Sequence, residues 1–139
     1  MEELLDVLVR QVMASIDCDV EVLGDGWDPH VEVSAWLALH GQPGRRLFVG
    51  MPRTSAERLS SLVTGLTAAH VQEDPTLAQD LAGEVANIMA GHLWPAVAGA
   101  TGLGLPQVGR PAGGVDAVVR RYRVGGDSLL VAGLDVGPA

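Results

Sequence analysis

From Val85 to Gly109 the chain carries no Asp, Glu, Lys or Arg, and so long a charge-free run belongs either in a bilayer or in a protein interior. Asn87, His92, Pro95, Pro106, Gln107 and five glycines interrupt it. A helix-compatible pattern stops near Gly99, so the run reads as a buried helix followed by a glycine-rich loop.

The remaining residues must supply a domain around that helix. At 139 residues the chain is long enough for one domain spanning 1–139, and 47% hydrophobic content supplies its core. Disorder as the native state is excluded. Nine arginines stand against 17 acidic residues and lysine is absent, giving a net charge of -8. That sign opposes binding to a phosphate backbone, so no nucleic acid is expected as a partner. The start Met1-Glu2-Glu3-Leu4-Leu5-Asp6 is acidic where a secretory signal would be basic, which predicts a cytoplasmic protein with no membrane partner. Cys18 is the single cysteine, which excludes an internal disulfide and a structural zinc site.

Leu4, Leu5, Leu8, Val12 and Ile16 fall at helical spacing and predict an opening helix over residues 2–17. Alternation at Val20 and Val22, then at Val31, Val33, Ala35 and Leu37, predicts two strands. The turn-forming run Gly24 to Pro29 between them suggests a hairpin. Gln42-Pro43-Gly44 marks a further turn, and Arg46 to Met51 reads as a strand. Thr54 or Ser55 is expected to cap a second helix carrying Leu59, Leu62, Val63 and Leu66 on one face. A third helix is expected from Pro75 to about Gly99, kinked at Pro95. Strands are expected at Leu105–Arg110, Ala117–Val124 and Ser128–Asp135, the last two joined by a tight turn at Gly125-Gly126-Asp127. The tail Gly137-Pro138-Ala139 is short. This order predicts an α+β fold, long helices packed on a mainly antiparallel sheet.

At about 100° per residue, Leu77, Leu81, Val85, Ile88, Met89 and Leu93 share one broad face of the third helix. Asp80, Glu84, Asn87 and Gly91 fall within about 60° of one another on the opposite side, with Gly83 beside them. Each helix-interior glycine costs about 1 kcal/mol relative to alanine, but it flattens the surface so that another macromolecule's backbone can approach. Asn87 is the only asparagine, in a setting that disfavours the residue. A carboxamide donates and accepts without charge and can orient a water; Glu84 offers a fixed anion to a cationic group. The spacing fits a solvated helix face as well as a docking face.

The run Asp80-Leu81-Ala82-Gly83-Glu84-Val85-Ala86-Asn87-Ile88-Met89-Ala90-Gly91 resembles the signature of the CheX, CheC and FliY family of chemotaxis phosphatases. Leu105-Pro106-Gln107-Val108 with Gly109 is similar to the strand that follows it there. The resemblance implies a CheC-like single domain that hydrolyses the aspartyl phosphate of a CheY-like response regulator, in chemotaxis or related two-component signalling. It implies that Asn87 orients the attacking water and that Glu84 docks to the receiver's lysine. Beside that pair, the helix wheel makes Asp80, Gly83 and Gly91 on the polar strip, and Trp94 next to it, partner-binding candidates. The resemblance also implies Mg²⁺ held by the receiver's own carboxylates, with no metal or cofactor in this chain, and a homodimer. The chain departs from the family pattern at His92, where a second Asn is common, and at Gly104, where Ser is common. On the second helix Glu57 is followed by Ser60 at the Asn position, so a single intact site places the likeness nearest the CheX branch. A non-catalytic module that binds a receiver or flagellar switch protein through the same helix is the alternative.

Other motifs have plainer readings. His30, His40, His70 and His92 are scattered, which argues against a metal or acid-base constellation. The run Gly99 to Gly104 follows a helix rather than a strand, unlike a dinucleotide fingerprint. Arg120, Arg121 and Arg123 read as solvated charges guarding a sheet edge. Trp27, Trp36 and Trp94 are expected at the core or its boundary, and Cys18 half-buried and inert.

Overall fold

The computed structural model describes residues 2–41, 45–65, 68–96, 99–110 and 117–135. The turn expected at Gln42-Pro43-Gly44, Leu66 and the tail Gly137-Pro138-Ala139 lie outside them. Helix α1 (Glu2–Ala14) buries Leu5, Leu8, Val9, Val12 and Met13 along one stripe and carries Glu2 and Glu3 in its first turn, where the helix dipole favours anions. Strands β1 (Val20–Asp25), β2 (Val33–His40) and β3 (Arg46–Met51) follow. Helices α2 (Arg53–Thr64), α3 (Ala68–Glu73) and α4 (Pro75–Leu93) lead to a 3₁₀ turn at Trp94–Ala96. Two short strands, β4 (Gly102–Leu103) and β5 (Gln107–Val108), precede β6 (Ala117–Val124) and β7 (Ser128–Asp135).

These strands form one sheet in the order β1-β6-β7-β3-β2-β4, with β5 also on β2, and its pairings are antiparallel. The alternation of each strand sends Val33, Ala35, Leu37, Leu47, Val49, Tyr122, Leu130 and Ala132 into a core shared with α1, α2 and α4. The expected α+β architecture is therefore present, with helices covering one face of the sheet. Among the described residues no helix is long and apolar enough to cross a membrane.

The pairing of β1 differs from expectation. It joins β6 in the register Val20↔Val124 to Asp25↔Arg120, and not β2, which lies at the other side of the sheet. The buried hydroxyl of Tyr122 on β6 donates to an Asp6 carboxylate oxygen at 2.7 Å, which ties β6 to α1. Burial first, and that hydrogen bond second, push the phenol pKa well above its ordinary value, so the group stays a donor.

Because β6 lies between β1 and β7, its arginines do not guard an edge. Arg120 pairs with Asp6 at 3.0 Å and Asp25 at 3.2 Å, and Arg123 with Glu21 at 3.2 Å. Helix α2 likewise begins at Arg53 after Pro52, with no side-chain cap. Ser55 lies buried inside it, and its hydroxyl accepts the Leu129 backbone N–H at 2.9 Å, which ties α2 to β7. Of the expected apolar face, Leu59 is buried while Leu62 and Val63 are exposed. Cys18 is half-buried, and burial ahead of its neighbours Asp17 and Asp19 raises its thiol pKa, disfavouring the reactive thiolate.

On the sheet face away from the helices Phe48 packs against Trp27, ring centroids 5.8 Å apart, and lies over Gly133, its cross-strand partner. A Cβ added at Gly133 would fall 2.0 Å from Phe48 Cζ. Gly133→Ala is therefore expected to destabilise the fold by about 1–3 kcal/mol through overpacking, measured by urea unfolding, and Phe48→Leu in the same chain should recover part of the loss.

Candidate functional site

Helix α4 is positioned before it is functional. Asp74 is its N-cap: the carboxylate accepts the Thr76 backbone N–H at 3.0 Å and the Thr76 hydroxyl at 2.7 Å, and Pro75 opens the first turn. Ala78, Ala82, Ala86 and Ala90, at i, i+4 spacing, are buried with Leu81, Val85, Met89 and Leu93. The alanines widen the buried face and turn it away from Leu77 and Ile88, so Leu77 is only half-buried and Ile88 is exposed. The expected helix to Gly99 instead gives way to the 3₁₀ turn at Trp94, one residue before Pro95.

Asp80, Glu84, Asn87 and Gly91 are all exposed, and Gly83 is half-buried beside them. Among the described residues, the side chains of Asp80, Glu84 and Asn87 have no hydrogen-bond or ion-pair partner. Asp80, Gly83, Glu84 and Asn87 form one wall of an open cleft of about 460 Å³, and Leu105, Pro106, Gln107 and Val108 form the other. Neither Gly91 nor Trp94 lines it. Trp94 is half-buried against the core, which makes it a boundary residue like Trp27 and Trp36.

A single acceptor joins the two walls. Gln79 Nε2 donates to the Ser34 carbonyl of β2 at 2.6 Å, and the Gly109 backbone N–H donates to the same oxygen at 2.9 Å. Gly109 has φ +97°, a left-handed conformation that suits glycine, and its amide thereby closes the end of the 105–108 segment onto β2. The expected strand Leu105–Arg110 shrinks to Gln107–Val108, paired with Trp36 and Ala35. Sequence reasoning missed Gln79. It falls on the helix wheel between the apolar face and the polar strip, and nothing in its spacing marks it. Leu105 and Val108 carried a signal only through the Leu-Pro-Gln-Val run.

Among the described residues the cleft offers an anion, an uncharged donor-acceptor and apolar rims, without a nucleophile or a base paired to one. Among the described residues no three His, Cys, Asp or Glu side chains come together as a metal site. Such a surface can hold a cationic group and a water.

No protein-family model matches the sequence, and no curated protein matches it at a significant level. Solved structures do share its fold. A chain of the CheX-CheY-BeF3-Mg²⁺ complex from Borrelia burgdorferi aligns with a TM-score of 0.71 and 14% identity over 96% of this chain and 92% of that one. CheX from Desulfovibrio desulfuricans gives 0.66 and 16%, covering 94% and 97%. CheX from Vibrio vulnificus gives 0.65 and 13%, covering 95% of each chain. The chain has the CheX and CheC-like fold.

Two outcomes follow from the geometry of α4. A Cβ at Gly91 would meet nothing within 4 Å, so Gly91→Ala should stabilise the free protein by up to about 1 kcal/mol in denaturant titration. The two hydrogen bonds from Thr76 hold the Asp74 carboxyl below its usual pKa. Its contribution is full above the unfolded value of about 4 and is lost as pH falls through the depressed folded value. Asp74→Ala should therefore lower the melting temperature at pH 7, and the gap from wild type should close as pH falls below about 4.

Proposed function

We propose that this chain is a phosphatase acting on the aspartyl phosphate of a CheY-like receiver domain. The observation that carries the reading is the exposed pair Glu84 and Asn87, unpartnered among the described residues, one turn apart on α4 and facing a cleft. A fold shared with a chain of a CheX-CheY-BeF3-Mg²⁺ complex supports it.

Phosphoryl transfer depends on positioning and charge more than on a protein nucleophile, so a surface without one is adequate. Glu84 pairs with the lysine of the receiver and sets the register of the helix against it. That places the Asn87 carboxamide at the phosphorylated aspartate, where it holds a water in line with the phosphorus without withdrawing its proton. Gly83 and Gly91 leave the helix flat enough for the receiver's loops to come close, and Asp80 extends the acidic rim. The divalent ion is held by the receiver's carboxylates and supplies charge neutralisation there. The protein works as a homodimer in the cytoplasm.

The decay of a phosphorylated receiver in excess Mg²⁺ tests this reading. Wild type should accelerate it, and Asn87→Ala should lose about 10²-fold, which corresponds to about 2.7 kcal/mol of transition-state stabilisation, while fold and binding persist. Glu84→Ala should weaken both binding and rate. Equal decay with wild type and Asn87→Ala, in a complex that demonstrably forms, would replace the enzyme by a receiver-binding module.

A further inference from the structure

Leu105 and Val108 are the most exposed large hydrophobic side chains among the described residues, at 81% and 76%. They are not held out by a loose loop. On one side the Gly104 N–H donates to the Ala38 carbonyl at 2.8 Å, and on the other the Gly109 N–H donates to Ser34 at 2.9 Å. Val108 is in register with Ala35 in between, and Pro106 removes one more backbone freedom. The segment is thus tied across β2 at both ends, with its two aliphatic side chains directed away from the core that could have covered them.

We propose that Leu105 and Val108 are the apolar anchors that grip the receiver domain while α4 enters its phosphate site. This inference rests on the phosphatase reading above. Leu105, Val108, Glu84 and Asn87 line one cleft, so a partner whose cation meets Glu84 also covers the two aliphatic groups. Exposed apolar groups on a rigid frame beside polar ones are the usual make-up of an interface centre, because little entropy is lost in ordering them. Charge selects the occupant. Asp80 and Glu84 on the facing wall require a cationic group, which a receiver lysine supplies. A second copy of a chain with net charge -8, docked through this face by two-fold symmetry, would set acid against acid.

The test uses the full chain and the receiver domain of the same organism whose phosphate decay it accelerates most, activated with beryllium fluoride and Mg²⁺. Leu105→Ser and Val108→Ser should each weaken binding about tenfold, and together more, with an unchanged far-ultraviolet circular dichroism spectrum. Both should raise the receiver concentration needed for half-maximal decay more than they lower the maximal rate. Leu62→Ser, on α2 and 58% exposed, should leave affinity unchanged. An unaltered affinity in the double variant overturns the proposal, as does an equal loss in Leu62→Ser. Light scattering supplies a further arm: if the double variant loses a dimer that wild type forms and keeps its receiver affinity, the face belongs to a second copy. Should wild type bind and accelerate no receiver, the phosphatase reading itself fails. A double variant that equals an active wild type defeats only the anchors.

Discussion

Four alanines govern where this helix can lie. Ala78, Ala82, Ala86 and Ala90 are at most 2% exposed, and their small side chains let the axis of α4 settle close to β2 and β3. Close packing admits one rotation of the helix. A turn of a single residue would drive a carboxylate or the carboxamide into the apolar layer without a partner, at a cost of several kcal/mol. The outward strip of Asp80, Glu84 and Asn87 is therefore a consequence of the inward stripe. Its apparent idleness as a surface follows from the tightness of the face behind it.

The opposing wall depends on that same seating. The Ser34 carbonyl has two lone pairs, and both are used: one by the side chain of Gln79, the other by the backbone of Gly109. Helix, strand and loop meet at one oxygen near the edge of the sheet, so the width of the cleft is set by two hydrogen bonds rather than by the loop's own preference. Gln79 acts on the site without entering the cleft chemistry.

Periodicity made most of the elements legible in the sequence. Strands β3, β6 and β7 have the bounds read from the sequence, because Pro52 and the Gly125-Gly126-Asp127 turn mark ends that the structure keeps. Partnership was less legible. The Gly24 to Pro29 run announces a turn and says nothing of which strand lies alongside, and β6 is joined to β1 by long-range contacts such as Arg123 with Glu21. Arg120 and Arg123 looked like edge guards because their acidic partners lie about a hundred residues away in sequence. In α4, counting only large side chains misjudged Ile88, since alanines carry half of the buried face. The polar strip could be read because it is local, within three turns of one helix. The wall at Leu105 and Val108 was visible only as part of a motif, and Gln79 carried no mark at all.

Strand β7, the last element in chain order, occupies the middle of the sheet between β6 and β3. Until it is in place, β2 and β3 have no hydrogen-bonded link to β6 and β1, and the apolar floor beneath α1 and α2 is open. Such a topology makes assembly cooperative and loads it with contacts of long sequence separation, which slows the search for the native state. The α4 wall of the cleft is thereby coupled to β7 indirectly, through α1 and α2, which pack against both.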